Sequence, residues 1–406
     1  MLIYIHHSSI WGGGSLSCFD VCKMIGSQHK LVLALPEGEN IVKNYAKQNS
    51  FEFFENAPNA NIFRYYNGGP SLFKALGSFF LSRTKKKEWK NFLKDKKVDA
   101  VLLNSIVLWP MLKVFYELGV PTILFIRETQ KGRSGSMINR IIKKNIEKYG
   151  CTVAFLSNYD KKQWGFSTKI KQCIIPDVVD IEDFEQKAKN NSSNDYVNNL
   201  VKSSEMSVLF SGGINRLKGT LIALKAIEMC HSNIKLFLLG DCEAKILQAS
   251  PIKKLFQLKT FLYARSVKQK LNSLKLKDRV ICIGNRRDMS VWYAHCDVCF
   301  VPIVEAHQSR SIFEAGVFSK PVVITDFENY YEYLKAEESG IVFPKMNFKL
   351  AAQELNRLYK NKKLREHLGE KNRRYTELYH CLNTVSINVK NLIEEIKKEK
   401  GNGRKN

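Results

Sequence analysis

Two doubly wound α/β domains in tandem are the fold class this sequence predicts, and three observations carry it. Short, continuous apolar runs alternate with helical segments along most of the chain, as buried parallel strands do. The runs fall into two series of six, and a polar stretch separates the series. With 406 residues, 44% of them hydrophobic and 25% charged, the chain can bury two cores. The same figures exclude a disordered chain, and Gly 23 with Pro 10 exclude a collagen-like fibre.

The first series of expected strands is Met1–Ile5, Lys30–Leu35, Val98–Leu103, Thr122–Ile126, Thr152–Ser157 and Cys173–Ile175. The second is Ser207–Ser211, Lys235–Gly240, Val280–Gly284, Val298–Val301, Pro321–Thr325 and Gly340–Phe343. Between them Asn-Asn-Ser-Ser-Asn-Asp makes 185–206 read as a polar linker or surface loop. The expected organisation is a first domain over 1–184, a second over 207–370, and a C-terminal helix and tail over 371–406 that packs back on the first domain. After Phe343 the pattern is helical only. Leu350, Leu355, Leu358, Leu364 and Leu368 keep helical spacing, then Val385, Val389, Leu392 and Ile396 do, before a frayed basic tail from Lys398.

Sixty-four Lys and Arg against 39 Asp and Glu leave a net charge of +25. The surface therefore attracts something anionic: nucleic acid, a membrane face or a polyphosphate ligand. Nucleic acid has only that charge in its favour, because no recognition helix, aromatic-platform motif or zinc spacing accompanies it. Twenty-six basic and 14 acidic residues in 1–180 put +12 there and +13 in the rest, so charge does not separate the domains. Locally it does. From Ser71 to Lys97 nine basic and two acidic residues are interleaved with Leu72, Phe73, Phe79, Phe80, Trp89 and Phe92, a basic amphipathic pattern suited to an anionic membrane surface or to a solvated face. Met137 to Lys148 adds a second basic helix.

No apolar run is long enough to span a bilayer, and the N-terminus lacks the basic region of a signal peptide. The expected location is the cytosol, at the inner face of the cell membrane. Ten scattered cysteines agree. Cys151, Cys173, Cys230, Cys282, Cys296 and Cys299 lie in apolar stretches, where a reduced thiol acts as a small hydrophobe, and the Cys296/Cys299 spacing has no second ligand pair for a metal.

Three segments could carry chemistry. Gly12-Gly13-Gly14 joins the first strand to a helix, where an open sheet places a ligand loop, although a tight turn also needs glycine. Gly212 to Gly219, with Arg216 and Lys218, sits between a strand and the helix Thr220–Met229, in the outline of a diphosphate site. The third runs from Val301 to Gly316. Its loop carries Glu305, His307 and Gln308, and a helix starting near Ser309 carries Arg310 and Glu314. Free amides there can meet a phosphate, and a carboxylate one turn in can accept paired hydroxyls.

On these residues the chain resembles the retaining glycosyltransferases of family 4, which have the GT-B architecture: two Rossmann-like doubly wound parallel-sheet domains facing a central cleft. The resemblance rests on the glycine loop, Lys218-Gly219, Val280 to Asn285, Asp297 to Pro302, Ser309 to Gly316 and Pro321 to Glu332. It implies transfer of a sugar from a nucleotide-sugar donor, such as a UDP- or GDP-sugar, to a lipid-linked or cell-envelope glycan. Implied donor contacts are Gly12, Gly13, Gly14, Arg216, Lys218, Asn285, His307, Gln308, Ser309, Arg310 and Glu314. Catalytic roles fall to Arg127, Glu128 and Glu305. No cofactor and no metal are implied, and no Asp-x-Asp stands in a suitable loop.

Three departures set this chain apart. The family has a second glutamate eight positions before Glu314, where this chain has Ala306, with Glu305 one residue out of register. The cation five before the Lys-Gly is replaced by Gly213, leaving Arg216 as substitute, and the histidine that follows the fourth strand is replaced by Arg127-Glu128. A non-catalytic GT-B accessory subunit that binds a nucleotide sugar or glycan is the alternative reading.

Overall fold

A computed structural model describes residues 1–58, 85–130, 137–306 and 309–402. The chain divides into two compact units, one made of Met1–Val178 with Leu382–Asn406, the other of Val179–Cys381.

In unit 1 the elements run β1 (Leu2–His6), α1 (Gly13–Ile25), β2 (Leu31–Ala34), α2 (Ile41–Gln48), α3 (85–93), β3 (Ala100–Asn104), α4 (Leu112–Glu117), β4 (Thr122–Ile126), α5 (Met137–Tyr149), β5 (Thr152–Phe155), α6 (Asn158–Trp164) and β6 (Gln172–Ile174). Unit 2 contains α7 (Ile181–Lys189), α8 (Asn194–Val201), β7 (Met206–Phe210), α9 (Thr220–Met229), β8 (Ile234–Leu239), α10 (Pro251–Phe256), α11 (Leu258–Leu271), β9 (Val280–Gly284), α12 (Met289–His295), β10 (Val298–Val301), α13 (Arg310–Val317), β11 (Val322–Thr325), β12 (Ile341–Phe343), α14 (Phe348–Lys360) and α15 (Lys362–Tyr379). The last helix, α16 (Leu382–Asn402), belongs to unit 1.

Each unit is built on a six-stranded parallel sheet, ordered β2-β1-β3-β4-β5-β6 and β12-β11-β10-β7-β8-β9. All twelve expected strands are present. The sequence directions diverge between β1 and β3 in one sheet and between β7 and β10 in the other, and loops at such a switch point flank a crevice at the strands' C-terminal ends. Helices cover both faces. In unit 1, Val101, Leu103, Phe115 and Phe155 form one core, and Tyr4, Phe19, Phe125 and Val389 another. Unit 2 repeats the scheme with Val208, Leu236 and Phe300 on one side and Leu209, Phe237 and Trp292 on the other.

Several expectations are corrected. The boundary falls at Val178, not 184, and 185–206 is no linker: α7 and α8 fill most of it, with Val197 and Val201 buried against unit 2. Unit 2 extends through α15, so only α16 returns to unit 1, where Val385, Val389, Leu392, Ile393 and Ile396 pack into the core containing α1. That helix continues to Asn402 instead of fraying at Lys398, and 403–406 lie outside the described residues. Of the basic cluster, 71–84 lie outside the described residues. In its remainder Trp89 and Leu93 are buried, Trp89 edge-on to Phe92 and Phe115, while Lys85 pairs with Glu88 and Lys86 with Glu117. Cys282 is exposed, not core. No helix among the described residues is long and apolar enough to cross a membrane.

Candidate functional site

The unit 2 crevice is assembled by two loops that touch. After β7 the chain turns through Gly213, whose φ of +56° suits glycine, and Gly213 N donates to the Leu239 carbonyl. A Cβ there would lie 2.6 Å from the Asp241 nitrogen. At Gly219, φ +79°, a Cβ would stand 1.8 Å from the Pro302 carbonyl oxygen, so only glycine lets this loop rest on the end of β10. Val304 N donates to the Leu217 carbonyl at 3.1 Å, and the Ser211 and Ser311 hydroxyls are 2.7 Å apart, so the loops after β7 and β10 hold one another.

This contact brings Lys218 near Glu314. Burial pulls the Lys218 ammonium down to about 8, with the Glu314 carboxylate working the other way. Lys218 has no ion-pair partner among the described residues. Arg310 donates through Nε to Glu314 Oε1 at 3.1 Å, one helical turn away, and its guanidinium lies 5.4 Å from the centre of the Phe313 ring. Glu314 is only 8% exposed. Ser309 is the buried N-cap residue of α13, and its side chain makes no cap bond.

Other expected donor contacts stand apart from this group. Arg216 is exposed on the loop before Lys218, Asn285 is exposed just past the edge strand β9, and Glu305 is exposed in the loop after β10. His307 and Gln308 lie outside the described residues.

In unit 1, Gly12 to Gly14 open α1 with nothing within 4 Å of a Cβ at any of the three, leaving room above the backbone. Behind them lies a buried polar chain. Arg127 Nε donates to Asn104 Oδ1 at 3.1 Å, and Tyr4 Oη donates to the same oxygen at 2.8 Å. Asn104 Nδ2 donates to His6 Nδ1 (2.8 Å) and to the Gly14 carbonyl (2.9 Å). With Nδ1 accepting, His6 carries its proton on Nε2, facing Ser15 Oγ at 3.1 Å, and Ser15 Oγ donates to the Ile10 carbonyl. The chain thus ties Arg127 to the glycine loop. Arg127 Nη1 also pairs with the buried Asp177 at 3.1 Å.

Glu128, expected with Arg127 on the reactive face, is turned inward. It accepts from Ser105 Oγ, from the Ile106 nitrogen and from the Arg127 nitrogen. Burial raises its pKa, against those three bonds. Its carboxylate braces Ser105, which sits at φ +119° where β3 ends. Both residues therefore hold the strand ends in place.

Sequence reasoning overlooked the adjoining histidines. Burial lowers His6 to about 3 and His7 to about 4, so both are neutral at pH 7. His7 Nδ1 is buried with no hydrogen-bond partner. Two imidazoles at the end of β1, four residues before the glycine loop, were the available signal. No group of three His, Cys, Asp or Glu side chains among the described residues could hold a metal ion.

Residues 193–375 match the family model described as glycosyl transferases group 1. The second unit carries a group 1 glycosyltransferase domain. The chain is thereby a transferase of glycosyl groups, and the paired loops and α13 lie inside this glycosyltransferase domain. Among solved structures, Anabaena HepE in complex with UDP-glucose is similar over 97% of this chain and 99% of its own, with TM-score 0.74 and 16% identity. A glycosyltransferase from Rickettsia africae is similar over 97% and 98%, with TM-score 0.73 and 16% identity. WaaG, a glycosyltransferase involved in lipopolysaccharide biosynthesis, is similar over 96% and 99%, with TM-score 0.61 and 14% identity. These likenesses establish the GT-B fold of the glycosyltransferase. Among curated proteins none matches.

Proposed function

We propose that this protein is a retaining glycosyltransferase of family 4 that moves a hexosyl group from a nucleotide sugar to a lipid-linked or cell-envelope glycan, working at the inner face of the cell membrane. The observation that carries the reading is the convergence of Lys218, Arg310 and Glu314 where the loops after β7 and β10 meet. Lys218, which has no ion-pair partner among the described residues, would neutralise the donor diphosphate as the leaving group departs, aided by Arg216 and the α13 amides after Ser309. Glu314, steadied by Arg310, would accept two ribose hydroxyls. The HepE complexes with UDP and UDP-glucose make a UDP-sugar the first donor to try.

Gly12 to Gly14 would let the backbone approach the substrate, with Asn104, Arg127 and Glu128 as positioning residues behind them. Glu305, His307, Gln308 and Asn285 would border the donor sugar and base. Lys218 and helix amides meet the diphosphate charge without a resident metal, and nucleic acid is no partner in this reading.

Hydrolysis of UDP-glucose and related donors without acceptor tests the reading against a non-catalytic accessory subunit. Slow release of free sugar, lost in Lys218→Ala and insensitive to EDTA, is the expected result. UDP binding with no turnover of any donor would favour the accessory subunit.

A further inference from the structure

From Ala244 to Lys277 the chain has nine Lys and Arg and neither Asp nor Glu. This stretch includes α10 and α11 of unit 2. None of the α10 side chains is buried, and of α11 only Ala264 and Val267 are. Apolar residues are nevertheless plentiful on it. Ile252, Leu255 and Phe256 are 70%, 72% and 86% exposed, and Leu258 and Leu262 are exposed beside them. Lys253, Lys259 and Arg265 stand exposed among these side chains.

An apolar cluster held in water within a field of cations needs a partner that takes both. A nucleic acid would meet the lysines, but it offers no place for aliphatic Ile252, Leu255, Leu258 and Leu262. An anionic bilayer offers phosphates at the depth of the ammonium groups and an acyl boundary just beneath for Ile, Leu and Phe. We infer that α10 and the first turns of α11 form a docking surface for an anionic membrane.

The surface is bonded to the donor loop. Leu221 N, at the start of α9, donates to Tyr263 Oη at 3.1 Å, and Tyr263 Oη in turn reaches the Asn215 carbonyl at 3.4 Å. Docking through α11 therefore anchors the segment that carries Arg216 and Lys218. This deepens the proposal of a lipid-linked acceptor, and its test needs neither donor nor acceptor, so its failure would leave the transfer reading standing.

The full chain is sedimented with phosphatidylglycerol-containing vesicles and with pure phosphatidylcholine vesicles. Binding is expected to the first alone and to weaken in high salt as the Debye length shortens. Leu255→Ser with Phe256→Ser, and separately Lys253→Glu with Lys254→Glu and Lys259→Glu, should each lower partitioning by about tenfold or more. All are surface changes, and unchanged circular dichroism and melting temperature would certify the fold. Reversal of Lys85, Lys86 and Lys87 serves as a control that keeps binding. The inference falls if the serine pair pellets like the parent, if reversal at 85–87 alone abolishes binding, or if a random oligonucleotide binds more tightly than vesicles and ignores the serine pair.

Discussion

Arg310 and Glu314 form an ion pair across one turn of α13, Nε to Oε1 at 3.1 Å, with both side chains largely shielded from water. A planar guanidinium fixes the carboxylate's orientation as well as its charge. Glu314 is thus held in one orientation, with Lys218 close enough to feel its charge.

Loss of Lys218, Glu314 or Arg310 should weaken nucleotide binding, each by its own route. Lys218→Ala removes the buried cation of the proposed diphosphate site and should cost about 2–5 kcal/mol of UDP affinity. Glu314→Gln keeps the shape but loses the paired acceptor, and Arg310→Ala frees the carboxylate to swing. Calorimetric titration of UDP into the three variants checks this. Parental affinity in all three would remove the site.

Donor binding should also depend on pH through Lys218. Its pKa is lowered to about 8, so the ammonium dominates at neutral pH and the free amine above. An anionic ligand needs the ammonium, so affinity should fall as pH rises through about 8, approaching about tenfold per unit. Lys218→Arg keeps its charge to far higher pH and should flatten the profile. UDP titrations between neutral and alkaline pH decide it.

In unit 1, Arg127→Ala takes the guanidinium away from Asp177, Asn104 and Tyr4 at once, a loss of about 3–5 kcal/mol. Arg127→Lys should restore little, because one ammonium cannot meet Asn104, Asp177 and Tyr4 together. Melting temperatures read the effect directly. A parental melt in Arg127→Ala would mean that the network carries no stability.

Acid should unfold unit 1 through its histidines. Both are held neutral by burial, His6 to about 3 and His7 to about 4, against an ordinary 6.5. Below 6.5 the unfolded chain takes up protons that the folded one refuses. Their stabilising contribution is therefore full above pH 6.5 and lost as pH falls toward 4 and 3. Melting curves across that range should drop steeply, and His7→Gln should soften the slope.

Twelve strands were legible because a parallel strand covered on both faces must be apolar throughout, and Val101–Leu103 or Val322–Ile324 can hardly be anything else. Gly219 and Lys218 were legible for a related reason: a loop between a strand and a helix shows its glycines and cations locally. What failed depended on distance. Val197 and Val201 touch unit 2 by one narrow stripe, so the asparagines and serines around them dominate the pattern. Trp89 looks like a membrane anchor beside its lysines until Phe92 and Phe115 close around it. Arg127 owes its burial to Asp177, fifty residues later, and to Asn104 on a neighbouring strand, which no local spacing reveals.

The placement of α16 has a consequence for synthesis. Unit 2 is one uninterrupted stretch and can finish folding as soon as Cys381 clears the ribosome, whereas unit 1, begun first, stays incomplete until the final helix emerges. Until then the apolar flank of α1 that Val389, Leu392 and Ile393 will cover stands open to water. The half of the enzyme translated earliest is therefore sealed last, and a ribosome stalled near residue 381 would release a finished second unit tethered to an unsealed, aggregation-prone first one.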